Sequence, residues 1–291
     1  MEVNLPKGRG GGHWIKSSRL IRELEGKPIF MGRPIILVSN DDGIHAPGLL
    51  ALAEALEAVG TVYVVAPDRE RSTVGHALTL HRPLRAEQLA ARRYRVNGTP
   101  SDCVNLGILG ILPSRPSLVL AGINHGGNLG DDVTYSGTVS AAMEGTLLGI
   151  PSVAISLASD GEDGLRGAAG FGAALVALIL SKGMPKDTLL NVNVPAQPTG
   201  VKVTKLGRRT YSEKVVEETD PRGKRYYWIG AGPPLWEAGD ETDFAAVQKG
   251  LISVTPLHLD LTNYQALEAL KGWEEHLALP PRRTRSRRTS P

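Results

Sequence analysis

The sequence predicts an open, doubly wound α/β sheet, on three observations. Strand-like and helix-like segments alternate from Pro34 to about residue 181, as in a parallel sheet covered on both faces. The runs IILV, VYVVA and SLVLA are nearly continuously apolar, which suits strands buried on both sides. Polar segments follow three of these strands, at the edge where such sheets bind ligands.

In chain order, the patterns predict a strand at 35–39, a helix at about 47–58 and a strand at 62–66. A loop opens at Pro67, short strands lie near 78–81 and 93–96, and a helix follows Thr99-Pro100. A strand at 117–120, a Gly-rich loop, a helix near 138–148, a strand at 152–157 and a helix near 165–181 complete the alternation. Beyond Asn191 the rhythm breaks. Residues 200–235 are rich in Thr, Val, Tyr, Arg and Gly, and TDPRGKRYYW reads as a hairpin turning at Pro221, Arg222 and Gly223. A projecting hairpin suits either a subunit contact or a flap over a site. A last helix near 263–278 is expected to return to the core, and there is no internal repeat.

The 291 residues suffice for one large domain, expected over 31–279 with the hairpin as an extension. Apolar and charged fractions of 41% and 22% are those of a soluble globular protein. Residues 1–30 mix Lys, Arg and Gly without a continuous apolar stretch, so they read as a disordered extension or an overcalled start, not a secretory signal. No apolar run is long enough to span a membrane, and the protein is expected to be cytoplasmic. The single Cys103 excludes an internal disulfide and a cysteine-rich zinc site, and reads as a small packed residue.

The formal charge of +3 conceals an acidic body. Arg282, Arg283, Arg285, Arg287 and Arg288 supply five charges and residues 1–30 a net three, which leaves −5 on residues 31–281. The tail at 280–291 is expected to be disordered and solvated, with at most weak contact to nucleic acid. No aromatic residues interleave with its arginines to make a stacking platform.

The three polar segments are Asn40-Asp41-Asp42-Gly43, Pro67-Asp68-Arg69-Glu70-Arg71-Ser72 and Gly122-Ile123-Asn124-His125-Gly126-Gly127-Asn128. Parallel neighbouring strands would bring all three to one end of the sheet. Successive side chains on an extended strand face opposite ways, so Asp41 and Asp42 converge only if the turn permitted by Gly43 bends the chain. Two carboxylates, a Ser hydroxyl and an Asn carbonyl form an all-oxygen set suited to Mg²⁺ or Mn²⁺. Taken alone, Asp-Asp-Gly is equally a solvated turn.

A fourth segment places Ser136-Gly137-Thr138 at the start of a helix of small residues, where free N–H groups and positive partial charge would accept phosphate. An ordinary helix cap explains the same residues. SNDDGIHAPG lacks the glycine spacing of a P-loop or a dinucleotide fingerprint, which disfavours nicotinamide cofactors and P-loop hydrolysis.

ILVSNDDGIHAPGLLALAEAL, VVAPDRERSTVGHALTL, VNGTPSDCVNLG, LAGINHGGNLGDDVTYSGTVSAAMEG and LISVTPLHLDLT resemble, in order and spacing, the SurE family (survival protein E) over residues 34 to 265. The resemblance implies a Rossmann-like, mostly parallel sheet domain with a C-terminal β-hairpin and helix used in oligomerisation, as homodimer or homotetramer. It implies a phosphatase of nucleoside 5′- and 3′-monophosphates with one divalent metal ion per subunit, Mg²⁺ or Mn²⁺. Asp41 and Asp42 would match the family's paired metal-binding aspartates, which also act in catalysis, Ser72 its serine ligand and Asn124 its asparagine ligand. Asn40, Gly43, Asn124, Ser136, Gly137 and Thr138 would line the phosphate side. His45 and His125 receive no essential role.

A cation bridging the aspartates and a phosphate oxygen would neutralise phosphoryl charge and activate a water. Attack by a carboxylate is less apt, because phosphatases of that kind space their aspartates by one residue. The alternatives are an exopolyphosphatase or broad phosphatase and, in another class, a nucleotide-binding stress module without hydrolysis. Tyr211, Tyr226, Tyr227 and Trp228 are candidates for base stacking, with packing the plainer use.

Overall fold

The computed structural model describes residues 32–277 except 160, 211–214, 230–234, 238 and 275. The expected extension at 1–30, the tail at 280–291 and Tyr211 lie outside the described residues. The chain divides after His258 into two units.

The first unit runs β1 (Ile35–Ser39), α1 (Pro47–Leu56), β2 (Thr61–Pro67), β3 (Ala86–Ala90), β4 (Arg93–Val96), α2 (Pro100–Leu106), β5 (Leu118–His125), α3 (Gly137–Leu147), β6 (Ser152–Ala158), α4 (Leu165–Lys182) and β7 (Thr188–Pro195). It continues through β8 (Gly200–Val203), β9 (Arg209–Thr210), β10 (Val216–Thr219), β11 (Arg225–Trp228), β12 (Leu235–Trp236), α5 (Asp243–Gln248) and β13 (Leu251–His258). Nine strands form one sheet in the order β3-β4-β2-β1-β5-β6-β7-β13-β8. The strands from β4 to β7 in that order are mutually parallel. The edges are mixed, since β3 runs antiparallel to β4 and β13 antiparallel to β7.

Alternation along β1 explains why the sheet is covered twice. Ile36 and Val38 point into a core shared with Leu49, Leu52 and Leu56 of α1 and Ala168, Ala173 and Val176 of α4. Leu37 points the other way, where a Cβ on Gly107 after α2 would lie 3.0 Å from Leu37 Cδ2 and 3.5 Å from Val65 Cγ2, so only a glycine lets that helix end sit so close. All three β1 side chains are fully buried, each worth about 1.5–3 kcal/mol of transfer free energy. Helix α4 is by length and composition apolar enough to cross a membrane. Its Ala168, Ala173 and Val176 belong instead to this core.

Local signals fix the helix starts. Pro47 occupies the first turn of α1, where its missing N–H costs nothing. Helix α2 begins with a reciprocal cap: Asp102 N–H donates to Thr99 Oγ1 at 3.0 Å, and Thr99 N–H donates to Asp102 Oδ2 at 2.8 Å. Cys103 in this helix is fully buried, as a packed residue should be.

Two expectations fail. Residues 78–81 form no strand, because Asp102 takes both the Thr79 N–H at 2.8 Å and its hydroxyl at 2.6 Å, so that backbone donor is not offered to a sheet. The strand lies at Ala86–Ala90, an exposed edge strand held by pairing with β4 and not by burial. In the second unit, the helix expected at 263–278 is the shorter α6 (Tyr264–Lys271), and it has no buried residue, contrary to a return to the core. Its Leu267 and Leu270 are 44% and 46% exposed.

Candidate active site

Strand β1 lies between β2 and β5, so strand order reverses across it and a crevice opens at the carboxyl ends of these strands. The chain leaves β1 through Asn40, whose Nδ2 donates to the Gly43 carbonyl at 3.0 Å and closes a tight turn. Gly43 has φ +100°, and a Cβ there would lie 3.0 Å from the Arg69 carbonyl carbon. Glycine alone meets both conditions without strain. The second loop is sewn to this turn by Ile44 N–H to the Pro67 carbonyl at 2.9 Å and Arg71 N–H to the Asp41 carbonyl at 2.7 Å.

These loops frame a cavity of about 910 Å³. Asp41 and Asp42 line it from the first loop, Glu70, Ser72 and Thr73 from the second, and Asn124, His125, Gly127 and Asn128 from the end of β5 and the loop beyond. Asp132, Tyr135 and Ser136 close a further side. Arg209 and Ile229, one from each arm of the hairpin region, complete the rim. All four expected metal-site residues therefore meet at one cavity.

Asp41 is 4% exposed. Burial pushes its carboxyl above the ordinary range, although the Thr138 hydroxyl and backbone N–H both bond to it and pull the other way. Asp42 is pushed up to about 6, first by burial and then by the Asp41 charge, while a backbone bond from His125 opposes the rise. No Lys or Arg stands among the leading influences on either carboxyl, and the nearby His125 opposes the rise at Asp42 only weakly. Two crowded carboxylates that their surroundings leave raised suit a cation.

The rest of the donor set is consistent with that. The Asn124 amide donates to the carbonyls of Gly126 at 2.8 Å and His125 at 3.1 Å, so Oδ1 is the end left to accept. Ser72 Oγ donates to Glu70 Oε1 at 2.7 Å and keeps its lone pairs. Among the described residues no cluster of three or more His, Cys, Asp or Glu side chains is placed for a metal. Two carboxylates, a hydroxyl and an amide oxygen favour a hard divalent ion over zinc or copper.

The phosphate-side residues divide. Ser136 lines the cavity, and its Oγ accepts the Val139 N–H at 3.1 Å, so the cap reading holds for it. Thr138 is fully buried and gives its hydroxyl to Asp41 Oδ1. A Cβ on Gly137 would sit 2.7 Å from the Asp41 Cβ. The anion drawn to the start of α3 is thus Asp41 itself. Asn40, Gly43, Gly137 and Thr138 do not line the cavity.

Sequence reasoning missed Asp132, Arg209 and Asp243. Arg209 pairs with Asp132 and donates its backbone N–H to Asp131 Oδ2 at 3.0 Å. Asp243, fully buried, accepts N–H groups from Gly130 at 2.8 Å, Gly207 at 2.7 Å and Phe244 at 2.8 Å. It ties the loop after β5 to the base of the hairpin. Asn193 Oδ1 accepts the Asn128 N–H at 2.8 Å, while Asn191 and Asn193 both donate to the Asn128 carbonyl. Only the density of Asn in NVNV hinted at this support. Tyr226, Tyr227 and Trp228 are exposed and not on the cavity.

A family model described as "Survival protein SurE" matches residues 36–213. Among curated proteins, "5'-nucleotidase SurE" of Geobacter sulfurreducens is 58% identical over 244 residues, 82% of this chain and 93% of the relative. The protein of that name in Geobacter metallireducens is also 58% identical, with 97% of its length covered. Among solved structures, the SurE protein from Aquifex aeolicus superposes with a TM-score of 0.75 at 47% identity, over 83% of this chain and all of that one.

Proposed function

The chain belongs to the SurE family and is a nucleotidase of the phosphomonoester-hydrolase class, and on that premise we propose that it cleaves nucleoside 5′- and 3′-monophosphates with one Mg²⁺ or Mn²⁺ ion per subunit. The observation that carries the reading is the meeting of Asp41, Asp42, Ser72 and Asn124, from three separate loops, at one cavity. Those four residues would hold the ion. When bound, a divalent ion offsets phosphoryl charge and polarises the oxygens around it.

The chain's own residues do the rest. Thr138 and Gly137 fix the Asp41 carboxylate against α3, so its oxygens are aimed before a ligand arrives. Ser136, Asn128 and the Arg209 guanidinium face the same space and suit the phosphate oxygens. Tyr135 and Ile229 both line the cavity with exposed apolar surface that a nucleoside could meet. The proposal includes a cytoplasmic homodimer or homotetramer. In its support, the hairpin leaves Val215, Tyr227, Trp228 and Ile229 exposed, apolar side chains that a subunit contact would cover.

The test is phosphate release from 5′-AMP and 3′-AMP with Mg²⁺, Mn²⁺ or EDTA, beside a folded Asp42→Asn variant. Release that depends on metal and is lost in the variant is the expected result. Release that persists undiminished in EDTA would overturn the metal assignment. Hydrolysis of short polyphosphate without hydrolysis of AMP would replace the substrate class.

A further inference from the structure

Ser72 sits in a segment without strand or helix, and the backbone on its far side is unusual. Thr73 has φ +57° and Gly75 φ +60°, both in the left-handed region, which is disfavoured for threonine. Ser72 and Thr73 spend their hydroxyls locally, on Glu70 and on the Ser72 carbonyl. Among the described residues, the one hydrogen bond from residues 72–76 to the body of the protein is His76 Nε2 to Glu144 Oε2 at 2.9 Å.

Glu144 is a well-built anchor. It is 4% exposed, on α3, and its other oxygen accepts Asn105 Nδ2 at 2.7 Å. Burial alone would raise its carboxyl, but the bonds from His76 and Asn105 and the His76 charge hold it below the ordinary value. Both oxygens are engaged. Glu144 also lies six residues along the helix from Thr138, about 9 Å at the α-helical rise. One rigid helix therefore grips Asp41 at its first turn and, through His76, the loop that carries Ser72.

We propose that His76 is a positioning residue, which fixes the Ser72 loop relative to Asp41 and Asp42 by its bond to Glu144. The proposal rests on the reading of Ser72 as a metal ligand. Groups that orient a ligand from behind commonly change metal affinity by 10–100-fold when removed. The predicted effect of releasing His76 is at the lower end, about 10-fold, because Arg71 N–H still ties the near side of the loop to the Asp41 carbonyl.

Calorimetric titration of the full chain with Mn²⁺ tests this without relying on turnover. His76→Ala is expected to weaken binding about 10-fold, and Ser72→Ala should weaken it at least as much. His76→Gln, whose amide can still donate to Glu144, should recover most of the loss. Asn105→Ala, which disturbs the same carboxylate without touching the loop, should lower the melting temperature and leave Mn²⁺ affinity near wild type. Should His76→Ala fail to fold, Glu144→Gln serves in its place and must weaken Mn²⁺ binding. Wild-type affinity in His76→Ala beside weakened binding in Ser72→Ala would overturn the positioning role alone. Wild-type affinity in Ser72→Ala would overturn the ligand reading, and this proposal with it.

Discussion

Gly137 and Asp41 are in such close contact that a β-carbon on the glycine would lie 2.7 Å from the Asp41 Cβ and 2.8 Å from its Oδ2. The neighbour is the root of a side chain held by its own turn, so it cannot swing clear. Gly137→Ala should therefore lower kcat/KM on 5′-AMP by about 100-fold, the scale of a roughly 1 Å displacement of a catalytic group. Stability should fall by about 1–3 kcal/mol from overpacking, which a melting curve will show.

Thr138→Val keeps the shape of a fully buried side chain and removes its hydroxyl bond to Asp41. The carboxylate then loses one of the groups that offset its burial. Metal should bind about 10-fold more weakly, and Thr138→Ser should restore it. Half-activation by Mn²⁺ measures both.

Asp42 supplies a pH test on the metal-free protein. Its pKa is raised from 3.8 to about 6, so the folded chain keeps a proton that the unfolded chain releases. Stability must then fall as pH rises between those values, and the loss is complete above about 6. Asp42→Asn should flatten this dependence and melt higher than wild type at pH 7 without metal, while losing activity. A variant that melts lower at pH 7 would contradict the burial argument.

Arg209 balances Asp132 on the cavity rim. Arg209→Gln would remove a positive charge from the rim that an anionic substrate meets. KM for AMP should rise about 10-fold, in line with a charged hydrogen bond of about 1.5 kcal/mol, with kcat changed much less. Initial-rate kinetics at fixed metal separates the two.

Asp243→Asn keeps the size of the side chain but gives up the charge that three backbone N–H groups share. A loss of about 2–3 kcal/mol in urea unfolding is expected. Activity should fall in parallel, because the Gly130 and Gly207 loops both shift.

Where the sequence was legible, burial made it so. Ile36, Leu37 and Val38 are apolar in succession because both faces of β1 are covered, and the polar loops after β1, β2 and β5 converge because those strands are parallel neighbours. The convergence of the segments that carry Asp41, Asp42, Ser72 and Asn124 could be read from that, whereas the choice of these four as a ligand set came from the resemblance to the SurE family. The exposed strand Ala86–Ala90 carries no such mark, since pairing rather than burial makes it. Residues 78–81 alternate like a strand, but Asp102 captures the Thr79 backbone. Asp132 meets Arg209 across 77 residues, and His76 meets Glu144 across 68, separations that no local spacing reveals. Gly137 was legible as a point of close approach, and Asp41 is the side chain that approaches it.

Asp243 also bears on how variation in this protein will be interpreted. The carboxylate is fully buried behind the cavity wall and is not among its lining residues. In a mutational scan scored by turnover it would nevertheless stand beside Asp42, as an acid intolerant of substitution, and invite assignment as a proton donor. A parallel scan scored by protein abundance would separate them, since substitutions at 243 deplete the folded protein whereas conservative ones at 42 leave it plentiful and inactive.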